Sequence, residues 1–274
     1  MINERFNLKK RIGSDQEMFP LHKSVTLIVL LLMNLLAGCQ HQADPAPLQS
    51  ANDYHTSRPR PTDTAANLIK LEWKLVDTIP VVSQLSAPPT GATLITEKKL
   101  DDFGGVKVSV YTMASDEDYV YARVSSSQGQ YSLGAIGTYN YRQPENIKVE
   151  VVRIFSEKVL KITGGLGANN SLTNYYLIDE SGNPSGLLQI DTGHSKELDV
   201  DGDGSIEGVA AHGNPMSAYI YRWNVDHAEV TFVNDALKAD SVVLTDEGIY
   251  EALNIGDKQS KRFRLTLEGL IQEQ

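Results

Sequence analysis

The densest set of chemistry-bearing residues in the chain is Asp199-Val200-Asp201-Gly202-Asp203-Gly204-Ser205-Ile206-Glu207. Carboxylates at alternate positions of so short a loop converge on one point, and the glycine that follows them lets the chain turn sharply. Ser205 then offers its backbone carbonyl, and Glu207 a further carboxylate, directly or through water. Hard oxygens in this number suit Ca2+, which takes roughly six to eight of them. Asp-Gly pairs also form ordinary turns, so an acidic hairpin without metal is the competing reading.

The loop departs from an EF-hand at Ala210, where that motif carries a bidentate Glu, and its flanks read as strands rather than helices. It resembles instead the Asp-x-Asp-Gly-Asp-Gly-x-x-Asp/Glu segment of FG-GAP and VCBS-type repeats, over about a dozen residues and in one copy. The resemblance implies a loop between two strands of a propeller blade, followed by an apolar strand such as Val209-Ala210-Ala211. It makes Asp199, Asp201, Asp203 and Glu207 side-chain ligands of Ca2+ and Ser205 a carbonyl ligand. A closed loop leaves no open coordination position, so the ion is expected to be structural rather than catalytic.

Other chemistry finds less footing. The run Gly164-Gly165-Leu166-Gly167 lacks the Lys-Ser/Thr of a phosphate-binding loop and is expected as a tight bend. His194, His212 and His227 have no His-Glu-x-x-His spacing, and no Gly-x-Ser-x-Gly elbow is present. Acidic residues are plentiful, yet nothing in the sequence pairs two of them for glycoside hydrolysis. Trp73 and Trp223 could form a carbohydrate-stacking face, although packing in the core is the expected use.

The one cysteine, Cys39, is not read as a buried hydrophobe, because of what precedes it. Residues 25–36 are a 12-residue, almost wholly apolar run. As a helix it would rise about 18 Å, well short of the ~30 Å hydrocarbon core, and it fits a signal-peptide core instead. Lys23 supplies the positive edge, and Met18 would start a more ordinary leader than Met1 does. The following Leu36-Ala37-Gly38-Cys39 resembles the lipobox of bacterial lipoproteins. That resemblance implies diacylglycerol on the Cys39 sulfur, cleavage just before it, and an extracytoplasmic protein anchored to a membrane by lipid. In a Gram-negative cell this could be the outer membrane.

Residues 1–38 are therefore expected as signal peptide and 39–66 as a lipid-anchored flexible linker. The linker is rich in Pro, Ser, Thr, Asp and Ala, has Tyr54 as its one aromatic residue, and cannot bury a core. As a coil it would span on the order of 30 Å. Removing residues 1–38, with five bases and three acids, takes the net charge from −10 to −12. A surface of that sign repels phosphate, so nucleic acid is not an expected partner.

The elements that must position the acidic loop read as strands. Segments 106–111 and 119–124 alternate, and 147–154, 159–163, 175–178, 187–190, 219–223, 229–233, 241–244 and 262–267 are rich in β-branched and aromatic residues. Asp179-Glu180-Ser181-Gly182-Asn183-Pro184 reads as a hairpin loop. Around 68–82, with Pro80, an edge strand or a short helix is expected. Tyr119, Tyr175 and Tyr219 begin similar patterns 56 and 44 residues apart, near the spacing of propeller blades. The spacing is uneven, and the preference of tyrosine for strands accounts for it.

The expectation is thus a mainly β protein: residues 67–274 as a single antiparallel β-rich domain, with a propeller-like form as one possibility. The sequence points to a non-enzymatic role in binding or assembly, with a protein or polysaccharide ligand. The competing reading is a cell-wall or polysaccharide hydrolase whose carboxylate site is invisible in one dimension.

Overall fold

The structure, a computed structural model, describes residues 68–273. The expected signal peptide, Cys39 and the linker to residue 66 lie outside those residues. Three short strands come first: β1 (Leu68–Ile69), β2 (Lys74–Leu75) and β3 (Ser83–Leu85). Four antiparallel meanders follow in chain order. Sheet I holds β4 (Ala92–Leu100), β5 (Val106–Met113), β6 (Asp116–Ser126) and β7 (Gly129–Thr138). Sheet II holds β8 (Lys148–Ile154), β9 (Glu157–Gly167), β10 (Asn170–Ile178) and β11 (Pro184–Ile190).

Sheet III holds β12 (His194–Leu198), β13 (Glu207–His212), β14 (Ser217–Asn224) and β15 (His227–Phe232). A short helix, α1 (Val233–Leu237), then leads into sheet IV, with β16 (Ser241–Leu244), β17 (Ile249–Leu253), β18 (Lys261–Thr266) and β19 (Gly269–Gln272). The protein is mainly β, as expected. The hairpin read at 179–184 joins β10 to β11, where Asp179 Oδ1 accepts the amides of Ser181 and Asn183 at 2.9 and 2.8 Å.

Alternation decides which side of each strand is buried. Val108 and Val110 of β5 and Val120, Ala122 and Val124 of β6 meet Leu160, Ile162 and Tyr176 of sheet II in one apolar cluster. A second cluster joins Ile154, Tyr175 and Leu188 of sheet II to Ala210, Tyr221 and Ala228 of sheet III. A third joins Val209 and Ile220 of sheet III to Val242, Tyr250, Phe263 and Leu270 of sheet IV. Each large aliphatic side chain buried this way contributes about 1.5–3 kcal/mol. Among the described residues no such cluster joins sheet IV back to sheet I, and the sheets do not close into a propeller ring.

Two sequence expectations change here. The glycines at 164–167 are not a bend but the last part of β9. A Cβ on Gly164 would stand 2.2 Å from the Ile136 carbonyl oxygen, and one on Gly165 2.7 Å from the Tyr141 Cβ. Glycine is there to let sheets I and II approach closely. The tyrosine echo also has a structural basis: Tyr119, Tyr175 and Tyr219 lie in β6, β10 and β14, the third strand of three successive sheets.

The segment carrying β1 to β3 forms a strap. β1 pairs with β19 of sheet IV, β2 with β15 of sheet III, and β3 with β7 of sheet I. Between β2 and β3 the chain passes sheet II, where Pro80 lies against Gly186 of β11. The strap therefore visits the sheets in the reverse of chain order, along the last strand of each. It covers edges that would otherwise present unpaired backbone groups. Among the described residues no helix is long and apolar enough to cross a membrane.

Candidate metal centre and its cleft

The acidic loop connects β12 to β13, and the strands on either side pair through Leu198 and Glu207. Its middle is held from both neighbouring sheets. Val200, 5% exposed, is buried in the cluster between sheets III and IV, while the Phe155 amide at the β8–β9 turn donates to the Ile206 carbonyl at 2.8 Å. Gly202 and Gly204 have φ of +79° and +90°, a region that L side chains rarely enter. Gly204 is thus fixed by backbone conformation, as the spacing suggested, and Gly202 is as well.

These turns gather the acids. Asp199, Asp201 and Glu207 each place a carboxylate oxygen within 4.8 Å of the others. Two opposed ligands of one Ca2+, at about 2.4 Å each, stand about that far apart. The Asp199 carboxylate accepts the amides of Gly202 (2.7 Å) and Gly204 (3.1 Å), which aims it into the loop. Asp201 Oδ1 accepts the Asp203 amide at 3.1 Å, and Glu207 Oε2 the buried Val200 amide at 3.1 Å. Asp203 is not part of the close trio; its Oδ1 accepts the Ser205 amide at 2.6 Å. Of the five residues expected as ligands, the structure brings three carboxylates together and leaves Asp203 and Ser205 in the adjoining turn.

Electrostatics agree with the crowding. Burial pushes the Glu207 carboxyl up to about 7, and the charges of Asp201, Asp203 and Asp199 add to it, against the downward pull of the Val200 amide. Asp201 is raised too, first by burial and then by Asp203 and Asp199. The fully buried Tyr250 hydroxyl has no hydrogen-bond partner among the described residues, and burial first and then the Glu207 charge hold it above its usual range. A divalent cation would relieve this repulsion with the donor type that Ca2+ prefers.

The loop opens on a cleft of about 400 Å³ between sheets III and IV. Asp201, Asp203 and Glu207 line one side, and Trp73 on the strap and Trp223 at the end of β14 line another. The Arg222 guanidinium lies 3.8 Å from the Trp73 ring centre, and Glu229 Oε2 accepts its Nε and Nη2 at 2.9 and 2.8 Å. Trp223 leans on Phe155 (5.8 Å between ring centres) and donates from Nε1 to the Val225 carbonyl at 3.1 Å. The core role expected for the tryptophans holds in part: Trp73 packs on the apolar cluster between sheets III and IV, but Trp223 is 40% exposed. Sequence offered no signal for the cleft, because Trp73 and the loop lie more than a hundred residues apart.

The histidines stay apart. His212 Nδ1 contacts the Asn169 carbonyl at 3.2 Å, and His227 sits on the surface beside Asp226 and Glu229. Among the described residues the Asp199, Asp201 and Glu207 trio is the one acidic or histidine group close enough to share an ion. Comparison with known protein families, with characterised proteins and with solved structures finds no match for this chain.

Proposed function

We propose that the protein is an extracytoplasmic lipoprotein whose β domain carries one structural Ca2+ and acts through binding rather than catalysis. The observation that carries the metal reading is the meeting of the Asp199, Asp201 and Glu207 oxygens within 4.8 Å, one of them on a residue only 6% exposed. Three carboxylates in so small a volume are poorly tolerated without a cation. Four successive meanders with the loop between the first and second strands of one of them also support the resemblance to FG-GAP and VCBS-type loops, and with it a propeller-like, open arrangement.

The hydrolase reading fares worse. Paired carboxyls in glycosidases stand about 5–5.5 Å apart, or about 6.5–9.5 Å where a water must fit between them. Here the acids that meet are a clustered trio rather than a separated pair, and Glu207 Oε2 already accepts the Val200 amide. Anchoring rests on the lipobox: Cys39 takes the lipid, and residues 39–66 space the domain from the membrane. Two acyl chains at ~0.8 kcal/mol per CH₂ are ample for stable attachment.

Thermal unfolding in millimolar Ca2+ and in chelator tests the metal. Ca2+ at a hundredfold over its Kd contributes about 2.7 kcal/mol. In a domain of this size that raises the Tm by roughly 5–10 °C. Asp201→Ala should remove most of the rise, and an identical Tm in Ca2+ and chelator rejects the reading. For the anchor, Cys39→Ala should leave an uncut precursor that takes up no lipid label.

A further inference from the structure

We infer that the cleft beside the acidic loop is a Ca2+-dependent binding site for a neutral saccharide, with Trp223 as its stacking platform. This rests on the metal reading above and extends it from a structural ion to one that shares its site with a ligand. Asp201 and Glu207, two of the close trio, line the cleft themselves. An ion held there faces open space, and a ligand oxygen can complete its shell.

Charge selects the kind of ligand. The carboxylates on the wall are Asp201, Asp203, Glu207 and Glu268, and the cations are Lys70 and Arg222, giving a net −2. Asp199, the third of the close trio, adds one more negative charge behind the wall, so one Ca2+ leaves the site at about −1 rather than positive. A polyanion is then repelled without metal and gains nothing with it, whereas a polyol with uncharged oxygens fits the metal-filled state. Carboxylates not spent on the ion accept hydrogen bonds from hydroxyls, and Asn224 and Thr266 add further polar partners.

The tryptophans divide the remaining work. Arg222 occupies one face of Trp73, so that ring is a packed wall. Trp223 is backed by Phe155, pinned at Nε1 by the Val225 carbonyl and still 40% exposed. A rigid, half-open π face is suited to the weakly positive C–H side of a sugar ring. The volume of about 400 Å³ lies at the lower end of small-ligand sites, roughly 300–1,000 Å³, which fits a short stretch of glycan rather than a folded partner.

The test is an array of neutral and anionic oligosaccharides probed with the full chain in millimolar Ca2+ and in chelator, read alongside the Tm. Neutral cello-, malto-, chito-, manno- or galacto-oligosaccharides should be retained in Ca2+ and released by chelator. Trp223→Ala should weaken retention about tenfold or more while keeping the Ca2+-dependent rise in Tm. Trp223→Leu, which keeps apolar packing on Phe155 but lacks a π face, should behave alike if the alanine variant unfolds. A chain whose Tm responds to Ca2+ but which retains no neutral glycan overturns the saccharide inference alone. So does retention that survives loss of the Trp223 ring or chelation, or retention of anionic glycans only. A Tm indifferent to Ca2+ overturns both this inference and the metal reading beneath it.

Discussion

Gly186 and Pro80 meet so closely that a Cβ on the glycine would stand 2.0 Å from the proline carbonyl oxygen. The obstacle is backbone, so no rotamer change can relieve it. Gly186→Ala should therefore push the strap off sheet II at a cost of about 1–3 kcal/mol. Hydrogen exchange reports this directly: the amides of β2 and β3 should exchange faster than in the parent, while those of β9 and β10 change little. Equal protection of the strap in parent and variant would refute a lacing role for it.

Glu207 makes metal-free stability depend on pH. Its folded-state carboxyl sits at about 7, held there by burial first and by the neighbouring acids second, against an ordinary value of 4.5. Below about 4.5 the group is protonated in folded and unfolded chains alike, and no stability is lost. As pH rises from there to about 7, unfolding releases a proton that the folded state retains, so stability falls. The full loss, at most about 3.5 kcal/mol at about 1.4 kcal/mol per pH unit, is reached above 7. Ca2+ should cancel the decline, since it binds the deprotonated carboxylate. Glu207→Gln should raise the Tm in chelator at pH 8 by several degrees and abolish the response to Ca2+. A parent whose Tm in chelator rises from pH 5 to pH 8 contradicts the sign of this effect.

How much of this was legible in the sequence depended on whether the cause was local. Strand β16 was read to the residue from its β-branched run and β5 nearly so from its alternation, while β6, read as 119–124, extends further at both ends. Strand β4 went unread: most of its residues are exposed, including Thr93, Glu97, Lys98 and Lys99 at a sheet edge, and no apolar face marks it. Strand β7 was hidden by its glycines, and β9 was cut short for the same reason, since the carbonyl that makes Gly164 necessary belongs to Ile136. The acidic loop was visible because its turn chemistry and its donors are contiguous. Its cleft was not, because one wall comes from the strap, whose path across the sheets no residue within it announces.

Between sheets II and III lies a buried charge pair that the sequence did not foretell. Lys161 Nζ on β9 stands 2.7 Å from Glu197 Oε1 on β12, with the two side chains 9% and 17% exposed. The Tyr175 hydroxyl donates to the same oxygen at 2.6 Å, and burial together with the Glu197 charge holds that phenol well above its usual range. Removing one member strands the other in an apolar interface, which typically costs about 3–5 kcal/mol, whereas replacing both by apolar groups of like volume is often neutral. Lys161→Met should therefore lower the urea midpoint strongly, and Lys161→Met combined with Glu197→Leu should recover most of the loss. The Tyr175 hydroxyl keeps its contact with Ser195 Oγ at 3.3 Å in the double variant, so it is not left wholly unpaired. A double variant as unstable as Lys161→Met alone would show that the pair, and not the stranded carboxylate, supplies the stability at this interface.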